Sequence, residues 1–128
     1  MKAVQELVAY FDRRGKLSSE QLRKLLEQGY LAAEAPLNML GLCDAVGASY
    51  YFRVRGALEG VVWGSDIYTG DSYLSVAAVH AGLVKVDETA VVKVTVEAPL
   101  QQYQGSVRYG VASRDFGRYG TAYRLSAI

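Results

Sequence analysis

The stretch that decides the fold is Tyr73-Leu74-Ser75-Val76-Ala77-Ala78-Val79-His80-Ala81. It contains no Asp, Glu, Lys or Arg, so a helix formed here has no charged face, and such a helix is buried on more than one side. Asp71 or Ser72 can cap its start, and Gly82 can end it. The small side chains along the helix allow sheets to approach closely. The sequence therefore predicts a central helix enclosed by strands.

Strand-like patterns occur on both sides of this helix, from Ser49 to the C-terminus. The clearest is residues 92–97, where Val92, Val94 and Val96 alternate with polar side chains, as in a half-buried strand. Further strands are predicted at residues 50–55, 61–63, 107–112 and 122–125. Glycines between these segments mark turns and bulges.

Residues 1–47 differ in character: they are rich in Leu, Ala, Glu, Lys and Arg and show no strand-like alternation. The pattern predicts about three short helices. The second begins at a capping box from Ser18 to Gln21, and the third has Pro36 near its start and extends to about Ala45. We therefore expect an α+β chain, with a small N-terminal helical segment over residues 1–47 and a second domain over residues 48–128.

Composition restricts the classes of protein to consider. The 128 residues are 51% hydrophobic and 21% charged, which is typical of a folded globular chain and not of a disordered one. A formal net charge of +1 argues for neither a nucleic-acid binder nor an acidic tail. One cysteine cannot form an intrachain disulfide, which favours a cytoplasmic location. We expect no membrane span, because no stretch approaches the roughly 18 uncharged apolar residues that a span needs. We expect no signal peptide, because the N-terminus is typical of an amphipathic helix.

Two separated stretches carry a family pattern. The first is Val62-Trp63-Gly64-Ser65-Asp66-Ile67-Tyr68-Thr69-Gly70-Asp71-Ser72, followed by Ala77-Ala78-Val79-His80-Ala81-Gly82-Leu83-Val84. The second is Tyr103-Gln104-Gly105-Ser106, leading to Gly110-Val111-Ala112-Ser113. Together they resemble the two hallmark motifs of the LCCL domain family, in the same order. The resemblance covers about residues 50–126.

The resemblance implies a fold in which a central buried helix is wrapped by two antiparallel β-sheets. It also implies a role in recognition, since LCCL domains are regarded as binding modules, with lipopolysaccharide or other glycans as proposed ligands. The motif residues expected to maintain structure are Tyr68, Asp71, Ser72, His80, Gly82, Gly105 and Gly110. Ser75 stands where extracellular members carry a cysteine, so the chain is more similar to the cysteine-free, bacterial versions of the family.

No catalytic or metal-binding pattern stands out. His80 is the single histidine, and nucleophilic catalysis would need a serine or cysteine partner and an orienting acid. We interpret it as a hydrogen-bonded structural residue that also interacts with the helix C-terminus. Cys43 lies between Leu42 and Asp44 with no neighbouring cation, which favours a small buried side chain over a reactive thiol. We expect no enzyme, no metal and no cofactor.

The C-terminal third interleaves aromatic residues with arginines. The residues that we predict to bind ligand are Tyr103, Arg108, Tyr109, Arg114 and Tyr119. Aromatic faces stack on sugar rings or bases, and arginine binds phosphate or carboxylate through two parallel hydrogen bonds. This pattern suits an anionic glycan better than single-stranded nucleic acid. The alternative is that the tyrosines line the core of the sheet and the arginines are solvated.

Two functions follow as hypotheses. The first is a non-catalytic module that binds a glycan, a lipopolysaccharide-like molecule or another anionic ligand. The second is a structural or assembly protein in which residues 1–47 mediate self-association or dock a protein partner. We expect a nucleic-acid partner in neither case.

Overall fold

The computed structural model describes residues 33–128. In this part of the chain the elements are β1 Ala33–Glu34, β2 Ser49–Arg55, β3 Gly64–Ser65, β4 Ile67–Thr69, α1 Leu74–His80, β5 Thr89–Glu97, β6 Val107–Arg108, β7 Val111–Ala112 and β8 Ala122–Ala127. The described residues therefore form a mixed α and β structure that is mostly sheet and has one short helix. The first two predicted helices lie in residues 1–32, outside the described residues.

The strands form one large and one small sheet. Six strands follow the order β1-β2-β5-β8-β4-β3, and β6 pairs with β7 as a separate hairpin. All pairs in the large sheet are antiparallel except β1 with β2, where Ala33 lies opposite Phe52 in a parallel pair. The prediction of two antiparallel sheets is therefore wrong for the large sheet, which is mixed.

The hydrophobic core lies between one face of the large sheet and α1. In β5 the buried residues Val92, Val94 and Val96 alternate with half-buried neighbours, as predicted from their spacing. Phe52 from β2 and Tyr123 from β8 extend the same buried cluster. Each fully buried apolar side chain of this size contributes roughly 1.5–3 kcal/mol to folding. The outer positions of these strands are free to carry polar residues.

Helix α1 is buried along most of its length. Every residue of the helix except Ser75 is buried. The helix contacts β2 of the large sheet and both strands of the β6–β7 hairpin. It therefore packs on sheet structure in two directions, which is why its sequence has no charged face.

The predicted end of α1 at Gly82 is confirmed, whereas the predicted cap at its start is wrong. Neither Asp71 nor Ser72 caps the helix: Tyr73 is the N-cap and makes no side-chain capping bond, while the Ser72 hydroxyl accepts the Trp63 N–H at 3.0 Å. At the other end Gly82 has φ +77° and donates to the Val79 carbonyl at 2.9 Å. Leu83 donates to Ala78 at 3.0 Å, which completes a Schellman motif.

The third predicted helix, from Pro36 to about Ala45, is wrong: this segment forms turns. The Asn38 side-chain oxygen accepts the Leu40 N–H at 3.0 Å, a local bond that competes with helix formation. Gly41 then has φ +87°, which a right-handed helix does not allow. Met39 instead donates its N–H to Gly70 at 2.9 Å and buries its side chain in the core.

Two predicted strands are also corrected. Residues 61–63 form no strand; Trp63 makes an isolated bridge to Arg114, and the strand β3 begins after it. The predicted strand over residues 107–112 is interrupted at Tyr109 and Gly110, which have φ +52° and +81°. Two successive positive φ values are those of a type I′ turn, so the segment is a hairpin and not one strand.

Candidate ligand-binding site

Tyr103 is not available to a ligand, because its side chain is 1% exposed. Its hydroxyl accepts the Leu100 N–H at 3.0 Å and donates to the Tyr119 carbonyl at 3.2 Å. Its backbone also exchanges two hydrogen bonds with Phe116, at 2.7 and 2.9 Å. The prediction that Tyr103 binds ligand is therefore wrong, and the core-lining alternative describes this residue correctly.

Arg108 and Tyr109 are neighbours in sequence but face different parts of the surface. Arg108 Nη1 lies 2.7 Å from Asp66 Oδ1, and this hydrogen bond holds the pKa of the Asp66 carboxyl below its ordinary value. Tyr109 is 73% exposed, and its ring covers Gly82, where an added Cβ would lie 2.8 Å from the ring carbon Cε2. The turn at Tyr109 separates the two side chains.

Tyr119 belongs to a row of three aromatic rings whose contacts were not predicted from the sequence. Phe116 meets Tyr119 edge to face at 5.7 Å between ring centres, and it meets Trp63 in the same manner at 6.0 Å. We call Trp63, Phe116 and Tyr119 the aromatic row. Phe116 is 40% exposed, and the other two rings are partly exposed. The pairing of Trp63 with Arg114 brings the row together and has no local sequence signal.

Two arginines near the aromatic row in the chain, Arg114 and Arg118, form no ion pair with an acid of the described residues. Arg114 is bound through its backbone: its N–H donates to Val62 at 2.9 Å, and its carbonyl accepts the Gly64 N–H at 3.0 Å. Arg114 and Arg118 are exposed, and within residues 33–128 neither forms an ion pair. The neighbouring carboxylate, Asp115, accepts the Gly105 N–H at 2.7 Å.

A separate polar cleft of about 290 Å³ lies near the β3–β4 turn. Its lining, which defines the polar cleft here, consists of Ser65, Asp66, Gln104, Gly105, Ser106 and Arg108. The turn places Asp66 at φ +68°, a left-handed conformation that few side chains adopt. Of the five residues predicted to bind ligand, the polar cleft contains Arg108.

A chain of hydrogen bonds connects the polar cleft with the buried core. The Tyr68 hydroxyl lies 2.9 Å from His80 Nδ1, and His80 Nε2 lies 3.1 Å from both the carbonyl and the hydroxyl oxygen of Ser106. The Ser106 hydroxyl lies 2.5 Å from that of Ser65, which donates to the Gln104 carbonyl at 2.8 Å. The chain therefore ends at the surface of the cleft.

The partners of His80 indicate which ring nitrogen carries the proton. A carbonyl only accepts, so Nε2 must donate to Ser106, and Nδ1 then accepts from the Tyr68 hydroxyl. Burial lowers the pKa of His80, which favours this neutral form, and burial raises the pKa of Tyr68 to about 12. With both nitrogens engaged in this way, His80 is not oriented to take a proton from Ser106. The arrangement favours the structural interpretation of His80.

The other motif residues also make internal contacts. The Ser72 carbonyl accepts the Tyr123 hydroxyl at 2.7 Å. A Cβ at Gly105 would overlap the Ser113 carbonyl oxygen, and Gly110 lies in the left-handed region. Asp71 lies beside Tyr119: burial is the main cause of the raised pKa of Tyr119, and the Asp71 carboxylate adds to it.

A larger cleft of about 490 Å³ opens between the end of α1 and the start of β5. Its mainly apolar lining includes Val79, Leu83, Val84, Val86, Ala90 and Tyr109. We call it the apolar cleft. Tyr109 is the one predicted ligand-binding residue in it, so the structure distributes the five predicted residues over separate places.

Comparison with known families assigns the chain. A model of the LCCL domain matches residues 43–122, close to the range expected from the two motifs. The chain belongs to the LCCL domain family. A comparison with curated proteins gave no match. LCCL domains are non-enzymatic binding modules, so a role in binding agrees with the family.

No group of three or more His, Cys, Asp or Glu side chains in residues 33–128 is placed to hold a metal ion. Over the same residues, no helix has the length and apolar character needed to cross a membrane.

Cys43 is a free, half-buried cysteine. Burial is the main cause of the raised pKa of its thiol, and the negative charge of the neighbouring Asp44 adds to it.

Proposed function

We propose that this LCCL domain is a non-catalytic module that binds an anionic glycan at the aromatic row, with Arg114 and Arg118 as the charged contacts. The observation that carries the proposal is the coincidence of three partly exposed rings with two exposed arginines that have no acidic partner in the described chain. Ligands of lipopolysaccharide type, which combine sugar rings with acidic groups, belong to this class.

The chemistry of the row matches both parts of such a ligand. The apolar face of a sugar ring packs on aromatic side chains, and Phe116 at the centre of the row is 40% exposed. The guanidinium group binds carboxylate or phosphate through two parallel hydrogen bonds. An acidic side chain that is already paired with an arginine competes with the ligand for its guanidinium group. We exclude Arg108 from the proposed site because its guanidinium group binds the Asp66 carboxylate at 2.7 Å.

The fold holds the row in place from beneath. Tyr103 and Phe116 exchange backbone hydrogen bonds, and Gly105 donates to the Asp115 side chain at 2.7 Å. A preorganised surface loses less entropy when it binds a ligand.

The packing of α1 between the large sheet and the β6–β7 hairpin supports the interpretation of a helix wrapped by two sheets, the second of them small.

The test is an amide and indole NMR titration of the full chain with an acidic oligosaccharide and with its neutral counterpart. We expect saturable shifts of the Trp63 indole N–H and of residues 114–119 with the acidic ligand. The double variant Arg114→Gln/Arg118→Gln should weaken binding at least tenfold. Arg124→Gln is the matched control, because Arg124 is paired with Glu97 at 2.9 Å.

Three results would contradict the proposal. Unchanged affinity in the double variant would remove the arginines from the site. Equal affinity for acidic and neutral oligosaccharides would remove the charge argument. No binding, together with self-association that is lost when residues 1–32 are deleted, would favour the assembly hypothesis instead.

A further inference from the structure

We propose that the polar cleft is a second ligand site, which takes one small uncharged polyhydroxy ring such as a pyranose. It is separate from the aromatic row and does not depend on the function proposed there. The inference rests on the size of the cleft, its pattern of donors and acceptors, its charge balance and its rigid support.

The size of the polar cleft limits the ligand to about one ring. Its volume is about 290 Å³. Clefts that hold drug-sized molecules measure roughly 300–1,000 Å³. A single sugar ring, or the terminal ring of a longer glycan, is therefore the largest unit that the cleft would enclose.

Hydrogen-bonding capacity remains on both members of the Asp66–Arg108 pair. Arg108 Nη1 binds Asp66 Oδ1 at 2.7 Å, whereas Nη2 and Oδ2 are 3.5 Å apart. Oδ2 thus retains capacity to accept, and the guanidinium group retains further N–H donors. Side by side they present an acceptor and a donor, and each hydroxyl group of a polyol both donates and accepts.

Gln104 and Ser65 extend this pattern around the cleft. The Gln104 side chain is exposed, and an amide offers two donors and one acceptor. The Ser65 hydroxyl donates its proton to the backbone carbonyl of Gln104, so its oxygen accepts from the Ser106 hydroxyl and keeps a second lone pair for a ligand. These groups converge on one cleft from strand β3 and from the segment before β6. A set that mixes donors with acceptors is what vicinal hydroxyls require.

The charge balance of the polar cleft favours a neutral ligand over an anion. Arg108 and Asp66 are its two charged residues, and they are paired. An anion would have to approach the Asp66 carboxylate, and it would compete with that carboxylate for the guanidinium group. An uncharged polyol satisfies both side chains without separating them. This preference is the opposite of that proposed for Arg114 and Arg118.

The support beneath the cleft is rigid. Ser106 and Ser65 are held by the hydrogen-bond chain that begins at the fully buried His80. Asp66 lies at the tip of the β3–β4 turn, and its carboxylate is held by the hydrogen bond from Arg108 Nη1 at 2.7 Å. The donors and acceptors are therefore preorganised.

The experiment is an amide NMR titration of the full chain with neutral monosaccharides and their methyl glycosides, and with glucuronic acid and inorganic phosphate as anionic probes. We expect millimolar, saturable shifts of Ser65, Asp66 and residues 104–108 with at least one neutral sugar. Asp66→Asn removes the negative charge, so it should weaken neutral-sugar binding at least fivefold and introduce phosphate binding. Asp87→Asn is the matched control, because Asp87 is also exposed, has φ +66° and is paired with an arginine, Arg55 at 3.6 Å, but lies outside the polar cleft. It should leave neutral-sugar binding unchanged.

Each outcome decides something. Binding of methyl glycosides assigns the cleft to the end of a glycan, while binding of free sugars alone assigns it to a soluble sugar; both support the proposal. No saturable shift with any neutral sugar, tighter binding of phosphate than of sugars by the unmodified chain, or shifts confined to the aromatic row would each overturn it. The dispersion of the β5 amide signals verifies that every variant is folded.

Discussion

The hydroxyl oxygen of Tyr68 lies 2.9 Å from Nδ1 of His80, and these two buried residues join strand β4 to the last turn of α1. On its other side the imidazole donates to Ser106, before the hairpin. One side chain therefore ties together the large sheet, the helix and the segment that lines the polar cleft. The motif that contains His80 is explained by this position without any catalytic role.

Replacing His80 by alanine should destabilise the fold by about 2–4 kcal/mol, because the change leaves a cavity and removes the partners of a buried hydroxyl and a carbonyl. Chemical denaturation of the variant measures this loss. Lys85→Ala, at an exposed position, is the control and should change stability by less than about 0.5 kcal/mol. A loss below about 0.5 kcal/mol for His80→Ala would contradict the structural role.

His80 should also make stability depend on pH. Burial lowers its pKa in the folded state, so the unfolded chain binds a proton more readily than the folded chain does. The stability that neutral His80 confers is therefore complete above its ordinary pKa of about 6.5 and decreases as the pH falls below that value. Asp66, whose folded pKa is also lowered, adds a separate loss in the more acidic range of carboxyl titration.

The measurement is the urea midpoint at a series of pH values between neutral and pH 5, for the unmodified chain and for His80→Gln. The midpoint of the unmodified chain should fall with pH, and the fall should be smaller in the variant, which cannot take up the proton. Parallel curves for the two proteins would show that another group causes the dependence.

Gly82→Ala should destabilise the domain by about 1 kcal/mol or more, because residue 82 has φ +77° and a Cβ there would contact the Tyr109 ring. Gly117→Ala is the matched control, since that position has an ordinary φ and nothing within 4 Å of the added carbon. Thermal unfolding of both variants measures the difference. If the ring contact contributes, Gly82→Ala should cost less in a Tyr109→Ala background; an equal cost would attribute the effect to the backbone alone.

Tyr103→Phe should lower stability by about 1–2 kcal/mol, because it removes the hydroxyl that accepts from Leu100 and donates to Tyr119. Ligand affinity should stay unchanged, since Tyr103 is buried. Tyr109→Phe at an exposed position is the control for stability. A large loss of affinity with no loss of stability in Tyr103→Phe would restore Tyr103 to the binding site.

The features of the fold that could be predicted from sequence are those with a short-range cause. The buried helix followed from the absence of charge over residues 73–81, its end from Gly82, and β5 from the alternation of its valines. The helix predicted from Pro36 to about Ala45 does not form, because hydrogen bonds that the sequence pattern does not reveal hold this segment in turns. Asn38 binds Leu40 locally, and Met39 binds the distant Gly70.

The candidate binding site was less predictable, because it depends on pairing between residues that are distant in the sequence. Arg108 is neutralised by Asp66, which is 42 positions away in the chain. The turn at Tyr109 and Gly110 then directs neighbouring residues to different clefts. The interleaved arginines and aromatic residues predict a ligand-binding surface, and this stays a prediction. The pattern gives no information on which arginine pairs with an acid and which does not.

Asp115→Asn should strengthen binding of an acidic glycan at the aromatic row by about two- to fivefold, the range expected for removing a charge interaction of about 0.4–1 kcal/mol at an exposed site. The asparagine keeps a side-chain oxygen that can accept the Gly105 N–H, as Asp115 does at 2.7 Å, so the loop should retain its shape. The measurement is the affinity at low and high salt, and the gain should shrink as salt screens the charges. Glu97→Gln, which removes an acid paired with Arg124, is the control. An equal gain in Glu97→Gln would attribute the effect to overall charge, and a loss of affinity in Asp115→Asn would mean that the carboxylate itself contacts the ligand.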